Sequence, residues 1–389
     1  MINYLLMIQN FNHMKRLSVL LIVTLFIAAN CVAQKNKLVK VIAYFHGPIA
    51  ELDSIDVNKL THIIFCFGHL NGQRYKVDNA RDTAIIQKMV SLKDKNPELK
   101  VLLSLGGWGG CETCSDAFFT SEGRKEFAVS VKEIADYFKT DGIDLDWEYP
   151  TIRLDNDIDT NPVHKTAPED YNNFTYLVQQ LRKTLGKQAV ITFAAGGFNT
   201  FLQKSVDWKK IMKDIDYVNL MSYDLINGYA TETGHHTPLY STAKQRESTD
   251  NAVQYLLKIG VNSKKIIIGA AFYARVWQNV PSAFNGLYQA GKFKQGIPYR
   301  KFPELLSIKS GYTSYWDDTA KAPYSYNAVE QKFATYDNER SIELKTKYVI
   351  DKRLGGIMFW QIINDIHKGG LVDMINKTKE SYSPAIRNK

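Results

Sequence analysis

The stretch Asp141-Gly142-Ile143-Asp144-Leu145-Asp146-Trp147-Glu148-Tyr149-Pro150 decides how this chain is read. In a β-strand, successive side chains point to opposite faces. Asp144, Asp146 and Glu148 then share one face, and Ile143, Leu145 and Trp147 share the other. Stacked carboxyl groups are unfavourable as mere structure, because like charges at close range cannot all ionise cheaply. They suit a site where one carboxyl is kept neutral for proton transfer. Glu148 ends the run just before Pro150 and is the expected proton donor. Asp141 is out of register and is expected at the start of the strand or in the turn before it.

Working outward, similar short apolar runs recur along the chain. Val39–Phe45, His62–Phe67 and Val101–Leu105 precede the acidic run Gly142–Trp147. Ala189–Ala194, Tyr217–Met221, Lys265–Ala271 and Gly355–Trp360 follow it. Segments with helical spacing and charged faces, such as Gly123–Phe138 and Tyr171–Leu185, lie between them. Eight alternations of strand and helix predict an α/β fold, a closed (β/α)8 TIM barrel. The apolar face of the acidic strand would pack on the helices, and the carboxyl face would point into the barrel. Active sites of such barrels lie at the C-terminal ends of the strands, where Glu148 falls. The connection from Tyr273 to Leu354 is too long for a simple loop. It predicts a small α+β insertion over residues 275–340, between the seventh and eighth strands, forming one wall of a groove.

The chain has 389 residues, 45% of them hydrophobic and 23% charged, which is an ordinary globular balance. Its net charge of +9 comes without a basic run or a basic-aromatic pattern, so a nucleic-acid partner is not expected. Met14-Lys15-Arg16, the apolar stretch Leu17 to Ala29 and the small residues up to Ala33 have the layout of a secretory signal peptide over residues 1–33. Met14 is an alternative start. The apolar stretch is shorter than the roughly 20 residues of a membrane span. The mature chain, 34–389, is therefore expected to be exported as a monomer without an integral membrane span. Acylation of Cys31 is the weaker alternative. Cys111 and Cys114 are spaced for a local disulfide, and Cys66 sits in an apolar run as a small buried hydrophobe. His235 and His236 are read as loop residues shaping the groove, since neighbouring side chains point apart in extended chain. No metal and no organic cofactor is expected.

The acidic run resembles the DxxDxDxE signature of the family-18 glycoside hydrolases. Further segments resemble that family in the same order: Ser104-Leu105-Gly106-Gly107-Trp108, Met221-Ser222-Tyr223-Asp224, Phe272-Tyr273-Ala274-Arg275 and Gly355-Gly356-Ile357-Met358-Phe359-Trp360. Ala274 stands where the family has Gly. The long insertion resembles the family's chitinase insertion domain. The resemblance runs from about Val39 to Ile366 and implies a chitinase acting on chitin or chitooligosaccharides. It implies Glu148 as acid/base, Asp146 as partner of the substrate's acetamido N–H, and Asp144 as holder of a shared proton, bonded by Tyr44 and Ser104. Tyr223 would bond the acetamido oxygen. Trp360 would lie beneath the reacting sugar, and Asp224 and Arg275 would bond sugar hydroxyls. Met221 joins the substrate-binding set. Trp108, Phe198, Tyr229 and Trp316 are candidates for stacking on sugars.

Two other functions fit the same residues. A non-catalytic chitin-binding lectin is one, although Asp144, Asp146, Glu148 and Tyr223 are all present. An endo-β-N-acetylglucosaminidase acting on N-glycans is the other. Trp147, the Met221–Asp224 segment and the insertion favour the chitinase.

Overall fold

The structure is a computed structural model that describes residues 39–153 and 165–382. The leader expected over residues 1–33 lies outside the described residues. Each of the eight apolar runs forms a strand. These are β1 (Lys40–Phe45), β2 (His62–Asn71, with a short antiparallel partner β3, Arg74–Lys76), β4 (Lys100–Gly106) and β5 (Gly142–Asp146). β6 (Val190–Gly196), β7 (Tyr217–Met221) and β8 (Ile266–Ala271) follow. The last barrel strand, β14 (Gly356–Trp360), comes after the five strands of the insertion. The order β1-β14-β8-β7-β6-β5-β4-β2 is parallel, and β1 pairs with β2 to close the ring. The expected (β/α)8 barrel is formed.

The reason is visible in the strands themselves. β8 reads Ile-Ile-Ile-Gly-Ala-Ala and is buried throughout, as a parallel strand covered on both faces must be. The helices bury one stripe each. Thr120 caps the helix Ser121–Phe138 by accepting from the Gly123 N–H, and Phe127 and Val131 face the core. On β5 the apolar face does turn outward: Trp147, just past the strand end, packs against Phe118 at 5.6 Å and Phe174 at 6.3 Å. Asp141 marks the start of β5. Its carboxylate accepts from the Val101 N–H at 2.8 Å and pairs with Lys93 at 2.6 Å.

The insertion forms a second, antiparallel sheet. β9 (Tyr273–Gln278), β10 (Lys292–Pro298), β11 (Thr313–Asp317), β12 (Ala322–Asn327) and β13 (Lys332–Thr335) pair in the order β10-β9-β13-β12-β11. β9 leaves β8 directly, so this lobe stands beside the mouth of the barrel. A buried network fastens its return. The Asp337 carboxylate accepts from the Ala271 N–H at 3.0 Å, from Thr237 at 3.1 Å, from Ser341 at 2.6 Å and from Lys345 at 2.7 Å. Lys345 and Asp337 are both fully buried, and breaking such a pair leaves an uncompensated charge at a cost of about 3–5 kcal/mol.

Two expectations are corrected here. His235 and His236 are not groove-shaping loop residues, because both are fully buried. They do point apart: His235 Nε2 lies 3.0 Å from Asp317 in the lobe, and His236 Nδ1 lies 3.3 Å from Asp224 in the barrel. They tie the two units together. Trp316 does not stack in the groove. The Arg340 guanidinium lies 3.8 Å over its ring, and its indole N–H reaches Asp318. Among the described residues, no helix is long and apolar enough to cross a membrane.

Candidate active site

An open cavity of about 1110 Å³ lies over the C-terminal ends of the barrel strands. Strand register determines which acids reach it. Ser104, Asp144 and Thr192 stand side by side across β4, β5 and β6. Asp144 is fully buried below the cavity rather than on its wall. Four side chains donate to it: Thr192 at 2.5 Å and Asn219 at 3.0 Å on Oδ1, Tyr44 at 3.0 Å and Ser104 at 3.1 Å on Oδ2. Burial raises the Asp144 carboxyl, and these hydrogen bonds pull the other way. Ser104 is likewise sealed from the cavity, so it holds Asp144 and touches no ligand. Thr192 and Asn219 were not anticipated. Their signal was present, a polar residue at an inward position of an otherwise apolar run.

Two residues up the strand, Asp146 reaches the cavity floor, and Glu148 follows just past the strand end. Asp146 Oδ1 is buried with no hydrogen-bond partner among the described residues. Burial first, then the nearby Glu148 and Asp144 charges, push the Asp146 carboxyl well above the usual range. Glu148 is pushed up to about 7, chiefly by burial and also by the Asp224 charge, against a hydrogen bond from Tyr149. The pair is thus a partly desolvated acid cluster that retains a proton near neutrality.

The Gly106-Gly107 step brings the next wall close. Gly107 has φ +77°, and its N–H donates to the Asp146 carbonyl at 2.8 Å. A Cβ on Gly107 would sit 2.6 Å from the Phe67 ring, so only glycine fits between β2 and β5 here. Trp108 follows on the cavity wall, 47% exposed, against Tyr229 at 6.2 Å.

The other expected residues gather around this floor. Tyr223 is buried on the wall, and among the described residues its hydroxyl reaches the Met358 thioether at 3.9 Å. Burial pushes that hydroxyl well above its ordinary pKa and keeps it protonated. Met221 lines the cavity beside it. Trp360 is half-buried and packs against Tyr44 at 6.0 Å and Phe67 at 5.7 Å, with its remaining surface on the cavity. Asp224 and Arg275 form a two-pronged ion pair on the wall. Burial alone would raise the Asp224 carboxyl, but the Arg275 guanidinium and His236 outweigh it and hold it below the usual range. Phe198 and Tyr229 also line the cavity. Cys66 is buried at its edge, and Cys111 is bonded to Cys114. His46, Phe67, Tyr149 and Glu247 also line it and were not anticipated.

The arrangement matches known proteins along most of its length. The family described as Glycosyl hydrolases family 18 matches residues 34–365. Chitinase A1 of Niallia circulans is 34% identical over 307 residues, which are 73% of this chain and 43% of that protein. The chain thus spans less than half the length of that relative. Chitinase B of Serratia marcescens is 26% identical over 405 residues, 85% of this chain and 78% of its own. Among solved structures, a glycoside hydrolase family 18 N-acetylglucosaminidase from Paenibacillus barengoltzii superposes with a TM-score of 0.79 at 33% identity, covering 87% of this chain and 99% of that one. With its closed barrel and its acid run on the fifth strand of the chain, this protein belongs to glycosyl hydrolase family 18.

Proposed function

We propose that the chain is an exported chitinase that hydrolyses β-1,4 bonds between N-acetylglucosamine units with retention of configuration. The observation that carries this reading is Asp146, whose buried Oδ1 lacks a partner among the described residues, beside a proton-bearing Glu148 at the floor of an open cavity. An unsatisfied buried oxygen is costly, and a donor from a ligand removes that cost. The acetamido N–H of a bound sugar is such a donor. Tyr223, whose hydroxyl meets a weak thioether acceptor among the described residues, can turn to the acetamido oxygen. Held between them, that oxygen attacks the anomeric carbon while Glu148 protonates the leaving oxygen. This substrate-assisted route needs no carboxylate nucleophile. Groups set in place around the acetamide stabilise charge that develops only in the transition state. The leader pattern and the Cys111–Cys114 disulfide support export.

The similarity to the Paenibacillus barengoltzii N-acetylglucosaminidase favours a second reading, an N-acetylglucosaminidase. A product profile on N-acetylglucosamine oligomers of increasing length tests the proposal, with a labelled glycoprotein as control. Cleavage inside the longer oligomers supports a chitinase. Release of terminal monosaccharide alone supports the second reading, and glycan release from the glycoprotein supports an endo-β-N-acetylglucosaminidase. No cleavage of any substrate leaves a binding protein.

The acid cluster predicts a pH dependence. Glu148 works protonated, and its pKa is raised to about 7. The proton is present below that pH and lost above it, so kcat/KM on an oligomer should fall as pH rises through about 7. A profile that stays flat into the alkaline range contradicts Glu148 as the acid.

Trp360 gives a separate test. Because it is half-buried and faces the cavity, Trp360→Ala should cost less stability than a sealed core aromatic would. Loss of an aromatic surface under the sugar is worth about 1.5–3 kcal/mol, roughly tenfold to a hundredfold or more in kcat/KM. Unchanged kcat/KM on an oligomer would remove Trp360 from beneath the reacting sugar.

A further inference from the structure

Glu247 lines the cavity beside Phe198, Leu225 and Asn227 and takes no part in the chemistry proposed above. It is half-buried, and its position is fixed from two sides. Its Oε1 accepts the Asn199 N–H at 2.9 Å, and its backbone carbonyl accepts from the Gln245 amide at 3.2 Å. No cation pairs with it among the described residues. Burial raises its carboxyl, and only the Asn199 N–H opposes that. The nearby Lys244 is turned to the Phe284 and Tyr288 rings, at 5.1 and 5.5 Å. Elsewhere around the cavity, Asp224 pairs with Arg275, Asp78 lies 2.5 Å from the His69 ring, and Asp82 accepts from the Asn79 amide at 2.7 Å. A fixed, half-desolvated carboxylate open to a sugar groove, with no cation of its own, favours a cationic ligand.

In a β-1,4-linked aminosugar chain, the cation is the ammonium of an N-deacetylated unit. Glu247 shares its wall with Phe198, which packs on Tyr149 at 5.3 Å, next in the chain to Glu148. Trp360 lies with Tyr44, Phe67 and His46. If Trp360 underlies the sugar that supplies the acetamide, the Glu247 wall borders the leaving-group side. We infer that Glu247 builds a subsite for a glucosamine unit on the leaving-group side of the cleaved bond. The inference rests on the proposed chitinase reading and adds a substrate class to it.

The test uses the wild-type chain and partly deacetylated chitosan, with sequencing of the first two units at the new non-reducing ends. Glucosamine should be enriched there about twofold to fivefold over the bulk polymer, the range of a partly exposed ion pair. Added salt should reduce the enrichment. Glu247→Gln keeps the shape and an acceptor for the Asn199 N–H, and it should abolish the enrichment. Absence of enrichment in the wild-type chain, or equal enrichment in the folded variant, overturns the inference. Should the variant fail to fold, as a melting curve would reveal, the wild-type ends and their salt dependence decide. A fully acetylated hexamer is digested alongside. If the hexamer is cut and glucosamine is not enriched, only this inference falls; an uncut hexamer overturns the chitinase reading beneath it.

Discussion

Glu148→Gln should lose about 10²–10⁴-fold in turnover of an N-acetylglucosamine oligomer, the range of general acid catalysis, while still binding it. The amide keeps the size of the carboxyl and cannot release a proton to the leaving oxygen. Binding should persist because Asp146, Tyr223 and the aromatic wall are untouched. The substitution also removes the charge beside Asp146, which together with burial pushes that carboxyl up. Burial and Asp144 still raise Asp146 in the variant, but the fall in residual activity through about pH 7 that Glu148 sets should be gone. Turnover and binding are read separately, by product release and by calorimetric titration. Turnover at the wild-type level would remove Glu148 from the reaction. Loss of binding together with turnover would make Glu148 a structural residue of the floor.

The part of this site written locally was legible in the chain itself. The alternation of Asp144, Asp146 and Glu148 against Ile143, Leu145 and Trp147 needs only strand geometry, and the structure places the two sets on opposite faces. The eight strands were legible for a similar reason: each is a short run of apolar residues, and the barrel buries both faces of every run. The Asp224–Arg275 pair lies beyond pattern reading, since it joins the ends of β7 and β9 across 51 positions of chain.

What was missed depends on distant partners. Thr192 and Asn219 reach Asp144 only because β6 and β7 close around the same interior, and a lone polar residue in an apolar strand does not announce its partner. His235 and His236 read as loop residues shaping the groove because Asp317 and Asp224 meet them only after the lobe folds back. Trp316 looked like a groove aromatic because its composition-rich surroundings gave no hint of Arg340 over its ring. Glu247 carried no motif at all, and only the closure of the cavity wall reveals it.

The central claim is that the acetamide of the substrate, not a carboxylate of the protein, attacks the anomeric carbon. It has a consequence of all-or-none size. A glucosamine unit on the non-reducing side of the cleaved bond has no carbonyl to offer, and it gives Asp146 and Tyr223 no acetamide to hold. Such bonds should not be cut at a measurable rate. A thiazoline analogue of the cyclised sugar should inhibit, because it resembles the intermediate these groups are arranged to hold. The most direct measurement is the identity of the sugar at the new reducing ends after digestion of partly deacetylated chitosan. The account predicts N-acetylglucosamine at those ends throughout, released first as the β-anomer. Abundant glucosamine there would show that the acetamide is not required and would contradict the mechanism.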